Sequence, residues 1–278
     1  MKIALQIGLL PGETARDKAK WARDNGADAV EMNVWNVAHD KLRRDCEQVK
    51  AVLPVSSVCA NAEPDGTPSF DFLDPDKSKR RKSLDASKAI LAFCGEIGAV
   101  GQIVPPIFGA ARVPDLSPFM TPIEVEDKLT VAMLQELGPW AEEQGTRLLL
   151  EPLNRYEQHY LKRLRDGVRV IELAAVPGVA LLADLFHMHI EEPNSPQALR
   201  DAGRHVAHLH LADNTRQEPG TGDIDFVAAF RALRDIDFTG YMAYECGVTG
   251  TNTDEKSANL ARSVAFVREC IARSEQAR

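Results

Sequence analysis

The chain lacks what would place it in a membrane, on nucleic acid or in a disulfide scaffold. No apolar run approaches the roughly 20 residues that span a bilayer. The opening "MKIALQIGLLPGE" is too short and too broken in its apolar run for a secretory leader. Basic residues are in deficit, with 33 Lys and Arg against 41 Asp and Glu, a net charge of -8 and a pI near 5.5. So acidic a chain offers no electrostatic footprint for a phosphate backbone, and no nucleic-acid partner is expected. The five cysteines, Cys46, Cys59, Cys94, Cys246 and Cys270, form no C-x-x-C pair. An odd, unpatterned set reads as reduced thiols in a cytoplasmic protein. No linker, low-complexity tract or charge run splits the 278 residues. The glycine-rich phosphate turn of a dinucleotide-binding sheet is also missing after the first apolar run.

What is present is alternation. Eight short apolar runs start at Ile3, Ala29, Val55, Val100, Arg147, Val179, Val206 and Tyr241. Amphipathic segments fill the gaps, among them Lys77 to Ile97, Ile123 to Gln144, Lys162 to Ala175 and Asp254 to Ser274, with a short "SPQALRDAG" after the sixth run. Strand-helix alternation implies a parallel sheet. Eight repeats with near-continuous apolar strands predict an α/β fold, one (β/α)8 TIM barrel over residues 1–278. The two long loops, Asn61 to Asp76 and Ile107 to Pro122, follow strands, so both are expected at the C-terminal mouth, where barrel active sites are built.

The last four strands share one peculiarity. "LLLEPLNRYE" ends an apolar run in Glu151. "LLADLFHMHIEE" carries Asp184 and then His187, "VAHLHLADN" carries His208 and His210, and "YMAYECG" carries Glu245. A buried carboxylate must be paired, solvated or bound to a metal. One such residue is most simply a helix cap or an arginine partner. Four consecutive strands bringing Glu, Asp, His and Glu to one barrel end form a convergent set. Oxygen ligands with one imidazole suit a hard divalent ion, whereas zinc prefers more nitrogen and sulfur. Glu151, Asp184, His210 and Glu245 are therefore the candidate ligands, with Mn²⁺ as the expected ion and Mg²⁺ or Co²⁺ as alternatives. His208 and His210 alternate onto one face, so one is a ligand and the other a neighbour. Glu31 in "VEMNV" reads equally as a mouth residue or a structural ion pair. Trp35 reads as a pocket wall or core residue. "GTGDID" at Gly220 reads as a tight loop before a helix starting near Asp225.

These segments, with "EPLNRYE", "DLFHMHIEE", "HLHLADNTRQEPGTGDIDF" and "YMAYE", resemble the xylose isomerase-like sugar isomerase and epimerase superfamily. Within it the likeness is to the ketose 3-epimerases, the tagatose and psicose group. The resemblance implies that Glu151, Asp184, His210 and Glu245 hold the metal. It implies that Glu157, His187 and Arg216 hold substrate hydroxyls and the carbonyl oxygen. With Glu151 and Glu245 as two acid/base groups, the implied reaction is C3 epimerisation of a free ketose through an enediolate. A homo-oligomer, dimer or tetramer, paired through outer helices, is implied by analogy.

Rival outcomes share the same proton abstraction. An aldose-ketose or hydroxypyruvate isomerase moves the carbonyl. A keto-sugar or inosose lyase or dehydratase expels a β-substituent. An apurinic-site endonuclease of the superfamily needs a histidine-rich multi-zinc cluster, and here only His39 precedes residue 159. A metal-binding regulatory barrel would not need the two bases and the substrate-binding positions.

Overall fold

A computed structural model describes residues 1–276. Eight strands close into a barrel: β1 (Lys2–Gln6), β2 (Ala29–Asn33), β3 (Val55–Cys59), β4 (Gly101–Val104), β5 (Arg147–Leu150), β6 (Val179–Asp184), β7 (Val206–Leu211) and β8 (Tyr241–Tyr244). Every neighbouring pair is parallel, and β1 pairs with both β2 and β8 to close the ring. Outside lie α1 (Ala15–Asp24), α2 (His39–Lys50), α3 (Lys77–Ile97), α4 (Pro122–Glu143), α5 (Leu164–Ala174), α6 (Leu185–Glu191), α7 (Ser195–Ala202), α8 (Phe226–Asp235) and α9 (Thr253–Glu275). This is the single (β/α)8 TIM barrel that the alternation predicts. Among the described residues no helix is long and apolar enough to cross a membrane.

The period of two along each strand sorts residues between two cores. Leu148 and Leu150 face the helices, in the large core shared with them. Leu149 points inward and packs with Cys59, Ile103, Ala180 and Leu182. Ala4, Ala29 and Ala243 form the matching inner patch on the other side. Two residues further along the same strands, the inward positions are Gln6, Glu31, Glu151, Asp184 and Glu245. The polar layer at the mouth is thus a continuation of the apolar inner layer. Register completes it, because Leu182 pairs with His208 and Asp184 with His210.

One segment departs from the sequence reading. The apolar run "VALLADLF" reads as one strand from Val179 to Phe186, but β6 stops at Asp184 and α6 begins at Leu185. The Asp184 carboxylate accepts the N–H groups of Phe186 (2.7 Å) and His187 (3.2 Å), satisfying donors that a helix start leaves free. Asp225 caps α8 in the same manner, as expected. The "GTGDID" loop wraps a carboxylate of the chain itself. Asp213 accepts the N–H groups of Asn214, Gly220 and Ile224. A Cβ on Gly222 would lie 2.4 Å from Asp213 Oδ1, so a side chain there would displace the carboxylate these bonds hold.

Candidate active site and metal centre

The four candidate ligands converge. His210 Nδ1 lies 3.0 Å from Glu245 Oε2, 3.3 Å from Glu151 Oε1 and 3.8 Å from Asp184 Oδ2. One donor atom from each of the four falls within 4.8 Å of the others. Glu151, Asp184 and His210 are buried, and Glu245 is partly open to the mouth. Glu151 Oε1 and His210 Nδ1 are buried without a hydrogen-bond partner. These two unpartnered atoms, beside the carboxylates of Asp184 and Glu245, make three carboxylates and one imidazole at one point, a donor set that fits a hard divalent cation.

Electrostatics concentrate there. Burial alone would push the Glu245 carboxyl up, but the His210 and Arg216 cations hold it at about 2. Asp184 is also held well below the usual carboxylate range against its burial, chiefly by Arg216 and then His187. Glu151 goes the other way: burial raises it, His210 offsets only part, and the Glu245 charge adds to the rise. Burial would lower the His210 imidazole, but Glu245 and Glu31 carry it well above the ordinary value.

Arg216 reaches the cluster from the loop that Asp213 organises. Its backbone has φ of 59°, a left-handed conformation, held by Arg216 N–H donating to the Asp213 carbonyl (2.9 Å) and Gly247 N–H donating to the Arg216 carbonyl (2.7 Å). The guanidinium donates to Asp184 Oδ2 at 2.6 Å and to Glu245 Oε2. Its face lies over the Phe186 ring, 4.8 Å from the centroid. His187, on α6, has Nε2 3.7 Å from Asp184 Oδ2. Glu157 is exposed and lines the rim of the same cavity.

The cavity has a volume of about 480 Å³. Glu151, His187, Arg216 and Glu245 line its polar side, and the long loops supply Phe70 and Phe108 to an aromatic wall. Trp35 completes that wall, its ring 5.2 Å from Phe70 and 6.1 Å from Phe108, and it stays 45% exposed. Trp35 is thus a pocket wall. All seven residues singled out from the sequence lie at this mouth.

Sequence reasoning did not assign Gln6, Ser57 or Asn154, and it left Glu31 open. Glu31 sits fully buried beneath the cluster, paired with His208 (2.9 Å) and His210 (3.1 Å). His208 is the neighbour, below the four, and His210 the member of the set. The only signal for Glu31 was a carboxylate inside "AVEMNV", the same interruption that marked Glu151.

Residues 19–270 match the profile of the family described as xylose isomerase-like TIM barrel. The chain belongs to that family. This xylose isomerase-like barrel is 33% identical over 278 residues to a 3-dehydro-D-guloside 4-epimerase of Escherichia coli, covering 97% of this chain and all of that protein. It is 37% identical to a D-psicose 3-epimerase of Enterocloster bolteae, over 115 residues that span 38% of that protein. The crystal structure of an apo 3-keto-D-glucoside 4-epimerase from E. coli superposes with a TM-score of 0.82 at 30% identity, covering 97% of this chain and all of that one. These relatives are named epimerases, and epimerases are isomerases; the chain is an enzyme of that class.

Proposed function

We propose that this barrel epimerises a keto sugar at the carbon next to its carbonyl. The observation that carries the reading is the convergence of Glu151, Asp184, His210 and Glu245 on one side of a sugar-sized cavity. A proton α to a ketone is too weakly acidic for a carboxylate to remove in water. A divalent ion held by these four residues, Mn²⁺ in our reading with Mg²⁺ or Co²⁺ as alternatives, would stabilise negative charge developing on the substrate oxygens.

The rest falls to side chains. Glu151 and Glu245 enter the cavity from strands three apart round the barrel. One removes the α-proton and the other returns a proton to the opposite face, general acid-base catalysis worth roughly 10²–10⁴-fold. Arg216 and His187 donate to the enediolate oxygens, where preformed donors act most strongly. Glu157 takes a hydroxyl at the rim.

The relative matched end to end acts on a 3-dehydro-guloside at C4, and the relative matched over 115 residues acts on psicose at C3. Both reactions invert a carbon α to a ketone, so one mechanism serves both. Full-length similarity favours the 3-keto glycoside. The free ketose, inverted at C3, is the second reading. A panel of both substrate types incubated with Mn²⁺-loaded protein in D₂O decides by NMR. Deuterium at C4 of the glycoside or C3 of the ketose, with the skeleton retained, supports the proposal. An aldose product points to isomerase chemistry, and loss of water or of the aglycone to a lyase.

A homo-oligomer also belongs to this reading. Phe119 is 91% exposed, and Leu116 and Tyr156 are exposed with it. The family likeness implies pairing through outer helices, and these side chains in the mouth loops are also open to a partner. Light scattering of the purified chain tests it.

A further inference from the structure

Glu31 is the most saturated side chain near the site. Its Oε1 accepts from Gln6 Nε2 (3.0 Å) and faces His210 Nε2 (3.1 Å). Its Oε2 accepts from Ser57 Oγ (2.6 Å) and faces His208 Nε2 (2.9 Å). The partners come from β1, β3 and β7, and Glu31 is fully buried. A carboxylate with this many donors has no free lone pair turned toward the cavity. Glu31, Cys59 and His210 lie close enough to resemble a second metal set, but these contacts already account for Glu31. It is therefore neither a cavity residue nor a simple ion pair.

The consequence is at His210. An imidazole that ligates through Nδ1 must carry its proton on Nε2. A carboxylate oxygen facing Nε2 takes that proton, and Glu31 Oε1 stands there at 3.1 Å. Gln6 extends the arrangement, because its Nε2 also reaches Glu245 Oε1 at 3.1 Å. One buried carboxylate is thus tied to two of the four candidate ligands.

We propose that Glu31 is the positioning residue of the metal centre. It accepts the Nε2 proton of His210, makes Nδ1 the nitrogen that gives up its proton to ligate beside Glu151, Asp184 and Glu245, and through Gln6 fixes Glu245. The proposal rests on the metal reading of the site and adds a residue outside it. Carboxylates behind ligating histidines commonly govern metal affinity by about 10- to 100-fold.

The test is Mn²⁺ binding followed by the EPR signal of the free ion, which needs no substrate. Glu31→Leu keeps an apolar body of similar length and removes both acceptors. Its Mn²⁺ dissociation constant should rise about 10- to 100-fold. Glu31→Gln retains one acceptor oxygen and should fall between that variant and the wild type. Ser57→Ala removes a donor but leaves the His210 contact, and should change affinity less than about threefold, below the range expected of a metal-tuning partner. A purely structural role would make Ser57→Ala and Glu31→Leu act alike. Glu31→Leu with a native circular-dichroism spectrum and wild-type affinity overturns the proposal. If Glu31→Leu does not fold, ¹⁵N NMR of the Mg²⁺-loaded wild type decides alone. A proton on Nε2 of His210 supports the role, and a proton on Nδ1 ends it. A wild type that binds neither ion overturns the metal reading as well.

Discussion

The side-chain nitrogen of Asn154 lies 2.7 Å from Nδ1 of His187, and the Asn154 main-chain N–H approaches the same atom at 3.3 Å. Asn154 Oδ1 accepts the N–H of Tyr156 at 2.9 Å, which fixes the amide the right way round. Nδ1 of His187 is therefore an acceptor, and its ring proton sits on Nε2, the nitrogen nearer Asp184. In the proposed reaction that N–H is the donor to the substrate oxygen. Asn154→Ala frees the ring to rotate, and kcat/KM should fall about 10- to 100-fold. Metal content should stay at the wild-type level. A variant with unchanged kcat/KM would remove His187 from the role given to it.

Asp184 divides its two oxygens between tasks. Oδ1 caps α6, and Oδ2 faces Arg216 and His210. Asp184→Asn keeps an acceptor for the cap and loses the charge. The fold should persist while most of the bound ion is lost, measured by elemental analysis after dialysis against Mn²⁺. Retention of about one ion per chain in this variant contradicts the ligand set.

Arg216 places a cation against Asp184 and Glu245. Removing it in Arg216→Ala takes away a like charge from beside the candidate ion site, so Mn²⁺ affinity should hold or increase. Turnover should drop by about 10²-fold, the loss of one donor to a developing oxyanion. Loss of metal together with activity would mean that the guanidinium supports the ligands instead of the substrate.

Glu151→Gln and Glu245→Gln each leave the substrate one base. Net inversion should stop in both, because the opposite face then has no group to return the proton. Exchange of the α-proton with D₂O should continue slowly from the remaining side, since removal and return there need only one base. Each variant is to be compared at full metal loading. Wild-type inversion rates in both single variants are the outcome that sinks the two-carboxylate mechanism.

Away from the mouth, Glu126 on α4 is buried with Oε2 2.6 Å from His159 Nε2, while Nδ1 of His159 lies 2.9 Å from the Gly109 carbonyl. The Gly109 carbonyl accepts from Nδ1 and so turns Nε2 toward Glu126. Burial raises the Glu126 carboxyl above its ordinary 4.5, with His159 offsetting part of the rise. The folded state thus holds the Glu126 carboxyl proton more tightly than the unfolded one. The contribution is complete below about pH 4.5 and fades as pH rises through the folded value. Glu126→Gln abolishes it. Urea unfolding should show wild-type stability falling relative to the variant as pH rises above about 4.5. A pH-independent difference contradicts this.

Much of the site was legible because strand-end position encodes it. Glu151, Asp184, His210 and Glu245 each break an apolar run, and an apolar run that ends in charge has few physical explanations. His187 and Arg216 came from likeness to a family and not from periodicity. Nothing local in "LNRYE" marks Asn154 as the partner of a histidine 33 residues away. Nor does "LADNTRQEPGTGDID" reveal that Asp213 gathers three backbone donors and so sets Arg216 at its positive φ. Those contacts depend on how loops from different strands meet.

By itself the sequence determined the barrel, since eight apolar runs alternating with amphipathic ones leave few other ways to bury the strands. It determined which residues face inward, because the period of two is fixed once the strands are fixed. Only the tertiary structure decided which of the two histidines on β7 joins the carboxylates and which packs below. It decided also that Glu31 lies under the site, held by donors from three strands. Closure and register set those distances, and each is a relation between strands that no single stretch of chain contains.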